Sequence, residues 1–422
     1  MPRRVVVTGT GVVSPLGQSA GEHFDGLVSA RIGIGPITLF KVGDFPVKYA
    51  GEVKNFQGAK FVRNRKAVKM MARDILLSVT AAHLAAKDAG IFDGVEDPTR
   101  LGVSMGAGLI PQDLGELGAA VAHSLDENGR FDLRKFGREG LANLVPLWLL
   151  KYLPNMLNSH ISIEYNAQGP NNCITAGNAS GLVAVGEAAR VIERGDADLM
   201  LAGGAQTKVD PLSFVRLYLA GKLSTSADVA VCGSRPFDRA RSGMVAGEGS
   251  AVVVLEEESR ARARGVKILA EVAGFGSSCG GQLLPELSAD GRGAVEAMRS
   301  ALADAKLAAS DIDAVFSDAS GLAEDAVEAK AIAEVLGPGK PVTATRGAAG
   351  HMAAAAGAAD VAAAATAVSR RVLPPIAGSE DADGLPIDLV RRPREGELGA
   401  VLVNAFTFGG QTASVILKRY TP

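Results

Sequence analysis

Short apolar runs that read as β-strands alternate with longer helical stretches along the chain, and this pattern occurs twice. The first series of strand-like runs comprises residues 4–8, 101–105, 172–176, 199–202 and 250–255. The second series comprises residues 267–272, 314–318, 342–345, 400–405 and 414–417. Strands that alternate with helices predict a layered α/β architecture.

Each series also contains a strand that runs directly into a helix of small residues. Residues 172–176 lead into 179–190, and residues 342–345 lead into 353–368. Both helical stretches are nearly apolar all round, which is typical of helices buried between sheets. A chain of 422 residues also exceeds the usual size of a single core. We therefore predict two duplicated halves, residues 1–256 and 257–422.

Charge and composition exclude several classes of function. The net charge is −2 and aromatic residues make up 5% of the chain, so nothing indicates nucleic-acid binding. The cysteines are too few for a disulfide framework and lack metal-ligand spacing, which favours a reducing cytoplasm. The alanine-rich stretch 353–368 contains Asp360 and reads as a helix packed inside protein rather than in a membrane. No metal and no cofactor are expected.

The opening Gly9-Thr10-Gly11 resembles part of a dinucleotide-binding motif. The third glycine is missing, however, and no carboxylate follows about 20 residues later at a strand end, as that motif requires. A tight turn after the first strand accounts for these glycines.

Asn178 lies where the strand-like run 172–176 gives way to a helix. The first turn of a helix presents unpaired N–H groups and the positive end of the helix dipole, a setting that commonly activates a nucleophile. An uncharged amide is not a covalent nucleophile. We therefore expect Asn178 to cap the following helix or to hydrogen-bond a substrate. Cys173, five residues earlier and inside the strand, is expected to be a structural, buried residue.

Several motifs occur in the order that one known family shows. They are residues 5–17 (VVVTGTGVVSPLG), 169–171 (GPN), 195–204 (GDADLMLAGG), 235–238 (RPFD) with Arg241, Gly243 and 247–249 (GEG), Gly350-His351, and 404–410 (NAFTFGG). On these motifs the chain resembles the β-ketoacyl-carrier-protein synthases of the thiolase superfamily over essentially its whole length. The similar branch is that of elongating ketosynthases, such as synthase II and type II polyketide ketosynthases. The resemblance implies a thiolase fold, with two α/β halves in a five-layered α-β-α-β-α core.

Active members of this family use one cysteine and two histidines, and this chain matches one of the three. Asn178 stands at the cysteine position, and His351 matches the second histidine. The first histidine position falls on Ser317 when it is counted back from Asp325, with Glu328 as a check. Matching the strand itself gives Asp318 instead. Neither alternative is a histidine.

The resemblance also implies three residues that contact substrate. Arg346 stands where the family places a lysine, five residues before the second histidine. Glu328 belongs to the same predicted site. Phe408 matches the phenylalanine that gates the acyl pocket, or it serves only to pack against Asn178.

Loss of both the nucleophile and the first histidine resembles ketosynthase β, also called chain length factor, of type II polyketide synthases. Those subunits commonly carry glutamine at the cysteine position, whereas this chain carries Asn178. The resemblance implies a non-catalytic subunit that pairs with a catalytic ketosynthase α, around the helix after Asn178, and meets an acyl carrier protein. Two alternatives are a malonyl-carrier-protein decarboxylase and a homodimer that binds acyl chains without catalysis.

Overall fold

The computed structural model describes residues 3–281, 290–381 and 384–422. Its main element is an eleven-stranded mixed sheet. The strands are β1 Val5–Val13, β2 Leu101–Ala107, β3 Asn171–Ile174, β4 Leu199–Thr207, β5 Glu248–Glu257, β6 Ala270–Cys279, β7 Ala314–Phe316, β8 Pro341–Thr343, β9 Asp388–Leu389, β10 Ala400–Phe406 and β11 Gln411–Lys418. The longer helices are α1 Ala20–Val28, α2 Arg73–Asp88, α3 Leu114–Ala122, α4 Met156–Tyr165, α5 Ser180–Glu193, α6 Pro211–Leu219, α7 Glu258–Ala263, α8 Arg292–Ala305, α9 Asp325–Leu336 and α10 Ala356–Arg370.

The two parts of the sheet have the same topology. The first five strands lie in the order β3-β2-β4-β5-β1, and the second part has the matching order β8-β7-β10-β11-β6. In both parts the first three strands are parallel and the last two are antiparallel to their neighbours. A short antiparallel pairing of β1 with β6 joins the parts, and β9 extends the second part beyond β8.

Helices cover and separate the two parts of the sheet. The central helices α5 and α10 each contact strands of both parts, so they form a middle layer. Helices α2 and α4 cover the outer face of the first part, and α8 and α9 cover that of the second. These layers confirm the predicted α/β thiolase fold. The boundary near residue 256, close to the end of β5, stays a prediction.

Glycine and alanine allow the central helices to approach closely. A Cβ on Gly181 of α5 would lie 2.3 Å from the Ala354 carbonyl oxygen, and one on Gly357 of α10 would lie 2.8 Å from the Leu182 Cβ. Either contact is too short for a real side chain, so the packing requires glycine. Almost every residue of α10 is buried, as the sequence predicted. Among the described residues, no helix combines the length and apolarity needed to span a membrane.

Two expectations near strand starts are wrong. β1 continues to Val13, so Gly9 and Gly11 lie inside a strand and not in a turn. Helix α2 explains these glycines, because a Cβ on Gly11 would lie 2.0 Å from the Ala81 carbonyl oxygen. The strand expected from residue 267 begins at Ala270, and it extends further than expected, to Cys279.

Substitution of Gly11 by alanine tests this close packing. We expect Gly11→Ala to destabilise the fold by about 1–3 kcal/mol or more, because backbone atoms of α2 must move to admit the methyl group. Gly35→Ala is the matched control, since no atom lies within 4 Å of a Cβ there. Denaturant midpoints of both variants provide the measurement, and equal midpoints would contradict the packing argument.

Candidate functional site

Asn178 lies in a tight turn between the end of β3 and the start of α5. The turn is a 3-10 helix, Gly177–Ala179, and Gly177 has a φ of +57°. A Cβ on Gly177 would lie 2.1 Å from the Thr407 Oγ1, so only glycine fits there. The backbone N–H of Asn178 donates a hydrogen bond of 2.9 Å to the same hydroxyl oxygen. The turn is therefore fixed against the loop that follows β10.

Asn178 does not cap the following helix, so that part of the sequence prediction is wrong. The residue at the cap position of α5 is Ala179, which makes no side-chain capping bond. Ser180 provides hydrogen bonds to the backbone of the turn instead. Its hydroxyl accepts a bond of 2.8 Å from the Ala176 N–H and donates one of 2.6 Å to the Gly177 carbonyl oxygen. Among the described residues, none hydrogen-bonds the side-chain amide of Asn178. That amide is free to bind a ligand.

Asn178 and His351 lie together on the walls of two adjacent cavities. The smaller cavity measures about 50 Å³ and the larger about 520 Å³. Asn178, His351, Thr407 and Phe408 line both. The four residues therefore form the boundary between the cavities.

Phe408 is held in this boundary by a cation. The Lys222 ammonium lies 5.0 Å from the centroid of the Phe408 ring and also forms an ion pair with Glu324. A cation over the face of an aromatic ring stabilises its position. Rotation of the ring would change the connection between the two cavities, so the predicted gating role remains open as a proposal.

His351 is a neutral hydrogen-bond donor in this site. Its ring is buried, and its Nδ1 accepts the Ala353 N–H at 3.0 Å, so the single ring proton resides on Nε2. Burial lowers the pKa of His351 to about 3, and the positive charges of Arg346 and Lys208 add to that shift. The Nε2–H group can therefore donate to a carbonyl or enolate oxygen.

Of the two candidates for the first histidine position, Asp318 lines the smaller cavity. Ser317 is fully buried, and its hydroxyl lies at 3.4 Å from the Ala319 backbone nitrogen. The Asp318 carboxylate accepts a hydrogen bond of 2.6 Å from Arg346 Nη2. The cavity thus presents a carboxyl group at this position.

Arg346 lies beneath the site at the centre of a buried ion cluster. Its guanidinium pairs with Asp318 and with Asp360 of α10, and it donates to the Ser317 carbonyl oxygen at 3.2 Å. The carboxylates raise the pKa of Arg346 despite its complete burial. Arg346 is not among the described residues that line either cavity. From this position the Arg346 guanidinium holds the carboxylate of Asp318 in place. The predicted contact between Arg346 and substrate stays a prediction.

Glu328 completes an acidic corner of the smaller cavity. Its Oε1 accepts the Asp318 N–H and the Asn404 side-chain amide, both at 3.1 Å. Burial raises the pKa of Glu328 to about 8, and the Asp318 charge adds to the shift. Burial also raises the pKa of Asp318 to about 7, although Arg346 opposes it. A carboxyl proton is therefore retained here near neutral pH.

The sequence analysis missed three residues of the site. Thr407 lies in the recognised motif 404–410, but the sequence analysis assigned it no role. Asp360 was considered only because a carboxylate makes a membrane-spanning helix unfavourable. A lone carboxylate in a buried helix needs a partner, and that signal could have identified Asp360. Lys208, which lines the larger cavity, carried no sequence signal.

Neither cavity offers a thiol among the described residues that line it. Cys173, in β3, is partly buried, and burial raises the pKa of its thiol to about 11. Such a thiol is protonated at neutral pH and is a poor nucleophile.

Two topologically matched α/β halves, with a site where the N-termini of the two central helices meet, define a thiolase-type ketosynthase fold. Two family descriptions match the sequence: "Beta-ketoacyl synthase, N-terminal domain" over residues 2–261 and "Beta-ketoacyl synthase, C-terminal domain" over residues 269–380. The chain belongs to the β-ketoacyl synthase family.

Individual relatives align with this chain over essentially the full length of both proteins. The chain is 32% identical to the 3-oxoacyl-(acyl-carrier-protein) synthase 2 of Synechocystis sp., covering 99% of this chain and 98% of that protein. Among solved structures it is similar to the ishigamide ketosynthase/chain length factor, with 28% identity, complete coverage of both chains and a TM-score of 0.87. A β-ketoacyl synthase from Burkholderia phymatum gives 27% identity, 99% and 100% coverage, and a TM-score of 0.88.

Removal of the central cation of the ion cluster tests its structural role. We expect Arg346→Met to destabilise the protein by about 3–5 kcal/mol, because Asp318 and Asp360 then lack their cation in a buried environment. Neutralising both acids in the same chain, with Asp318→Asn and Asp360→Asn, should recover part of that loss. Arg299→Met is the control, since its pair with Glu334 is about half exposed and should contribute less than about 1 kcal/mol. Chemical denaturation measures all three, and an Arg346→Met effect no larger than the control would contradict this role.

The lowered pKa of His351 predicts a pH dependence of stability. The unfolded chain binds a proton at this residue below about pH 6.5, whereas the folded chain does not until about pH 3. Stability from this group is therefore complete above pH 6.5 and is lost as the pH falls from 6.5 towards 3. We expect His351→Gln to lose less stability than the native chain between pH 7 and pH 4.5, and the native imidazole to stay neutral over this range by nitrogen-15 NMR. A ring that titrates near pH 6 would refute the assignment.

Proposed function

We propose that this chain is a ketosynthase-like subunit that does not catalyse condensation, pairs with an active ketosynthase, and takes part in carrier-protein-dependent chain elongation. The observation that carries the proposal is the amide of Asn178 at the turn before α5, on the wall of both cavities. Condensation through an acyl-enzyme needs a nucleophile at this place. The carboxyl group of Asp318, in place of a second imidazole, supports the same conclusion.

The surface before Asn178 supports association with a partner. β3 lies at one end of the sheet and pairs only with β2 among the described strands, which leaves its other edge without a partner strand. An open strand edge is a template for pairing with another chain. The pairing surface predicted around the following helix stays a prediction, and most of α5 itself lies in the middle layer of this chain.

An apolar stretch provides a second surface for a partner. Between residues 131 and 149, Leu133 is 73% exposed and Leu147 is 65% exposed. Phe131, Leu141, Val145 and Leu149 are exposed as well. Monomeric proteins rarely expose so many large apolar side chains in one stretch, and such patches mark interfaces.

Similar proteins support the type of partner. The synthase from Synechocystis is named for action on acyl groups held by an acyl carrier protein. The ishigamide assembly is named as a ketosynthase together with a chain length factor. A chain of this family that lacks a nucleophile fits the second role, in which the partner supplies the reactive cysteine.

Co-expression with a ketosynthase from the same genome that retains cysteine and both histidines tests the proposal. With an affinity tag on this chain only, we expect a one-to-one complex by native mass spectrometry, because the open edge of β3 and the apolar stretch require a partner. An Asn178→Ala variant should preserve both the complex and its chain elongation, whereas Cys→Ala in the partner should abolish elongation by several orders of magnitude. A homodimer alone, or elongation that requires Asn178 as strictly as the partner's cysteine, would refute the proposal.

His351 favours one second candidate, a malonyl-carrier-protein decarboxylase. In that reaction the bond to the carboxylate carbon breaks, its electron pair forms an enolate on the thioester oxygen, and carbon dioxide leaves. The Nε2–H of His351 and the Asn178 amide can both donate to that oxygen, and water then protonates the carbon. A homodimer that releases carbon dioxide from malonyl carrier protein, and loses about 10²–10³-fold in rate with His351→Ala, would establish this candidate. A homodimer without that activity would leave acyl-chain binding as the function.

A further inference from the structure

Lys208 occupies a fixed position on the wall of the larger cavity. It directly follows β4, which ends at Thr207, and its backbone N–H donates to the Gly247 carbonyl oxygen at 3.1 Å. Asn178 and His351 line the same cavity. The side chain of Lys208, at the end of a core strand, therefore lines the same cavity as the candidate site residues.

The amine of Lys208 is partly buried and has no partner. Within the described part of the chain, no hydrogen bond or ion pair involves its Nζ. Burial lowers the pKa of Lys208, and the positive charge of Arg216 adds to this shift. An ammonium that is partly withdrawn from water and has no partner loses part of its hydration, so binding of an anion beside it is favourable.

The nearest carboxylates do not neutralise Lys208. Asp74 and Asp210 oppose the lowering of its pKa, but neither forms an ion pair with the Lys208 Nζ among the described residues. Asp74 accepts the Thr207 N–H at 3.0 Å, and Asp210 accepts the Ser213 N–H at 2.9 Å at the start of α6. Both carboxylates line a different cavity, of about 430 Å³. Lys208 therefore leaves a positive charge facing the larger cavity.

The rest of the larger cavity is neutral. Leu217, Met244 and Phe408 contribute apolar walls, and none of the described residues that line it is acidic. The polar groups near its boundary with the smaller cavity include the amide of Asn178 and the Nε2–H of His351. The lining also includes the Thr407 hydroxyl and the Gln411 amide, so it combines neutral polar groups and apolar walls with one cation.

We propose that the larger cavity binds an acyl group that ends in a carboxylate, with Lys208 as the residue that selects it. Asn178 and His351 hold the thioester carbonyl oxygen, the apolar walls hold the methylene groups, and the Lys208 ammonium binds the terminal carboxylate. The volume of about 520 Å³ has room for a chain of several carbons. The inference rests on the proposed role with carrier-bound acyl groups, but it does not depend on pairing with a ketosynthase.

Binding of matched thioesters tests the proposal. The probes are glutaryl-pantetheine, which ends in a carboxylate, and pentanoyl-pantetheine, which has the same number of acyl carbons and no charge. Calorimetry uses the chain in whichever assembly it forms on co-expression. We expect the native protein to prefer the glutaryl probe by about tenfold to a hundredfold, since hydrogen bonds to charged groups carry that much affinity.

Two lysine variants identify the source of the preference. Lys208→Met should bind both probes about equally, whereas Lys87→Met, which removes an exposed ammonium on α2, should keep the native preference. Equal binding of the probes by the native protein, or an unchanged preference in Lys208→Met, would overturn the proposal.

A second measurement applies if Lys208→Met does not fold. In the native protein, binding of the glutaryl probe above neutral pH should take up a proton at Lys208, so the measured heat should depend on the ionisation enthalpy of the buffer. The pentanoyl probe should show no such dependence. Equal proton uptake for both probes would overturn the proposal. A homodimer that prefers the glutaryl probe would refute the pairing but support this inference.

Discussion

Close contact between the two central helices is the constraint on which the site depends. Gly181 of α5 and Gly357 of α10 lie where any side chain would collide with the other helix or its preceding turn. This contact brings the turn before α5 against the turn before α10. Asn178 lies in the first of these turns and His351 directly precedes the second, so the helix contact places both on the walls of the same cavities. The functional geometry follows from glycine and alanine as much as from the polar residues themselves.

Buried charge is the second determinant of the site. Arg346 joins Asp360 of the central helix α10 to Asp318 on the cavity wall, while Glu328 holds the Asp318 backbone from the other side. The cluster keeps the carboxyl groups of Asp318 and Glu328 largely buried, and its cation helps to keep His351 neutral. The polar surface of the smaller cavity thus includes an amide, a neutral imidazole and carboxyl groups. These groups can bind and polarise a thioester, but none of them can carry an acyl group as a thiolate does.

Much of the fold could be predicted from the sequence, because strand-like runs and two apolar helices have strong periodic signals. The same signals did not show that Gly9 and Gly11 lie inside β1, since the reason is contact with α2, which is distant in sequence. Within the site, Asn178, His351 and Phe408 could be located through ordered motifs. The choice between Ser317 and Asp318 needed the three-dimensional position of the cavity. Lys208 and the pairing of Arg346 with Asp360 were inaccessible for the same reason, because a solitary charge in a sequence does not reveal what it faces.

The open edge of β3 and the exposed apolar stretch near residue 140 have a consequence for the cell. Both surfaces are tolerable once another chain covers them, and both invite non-specific association when none does. Under the proposed pairing, a copy made without its partner chain would aggregate or be degraded, so the balance of synthesis between the two chains would matter. Selection on such a protein acts on stoichiometry and timing of translation as well as on the residues around its cavity.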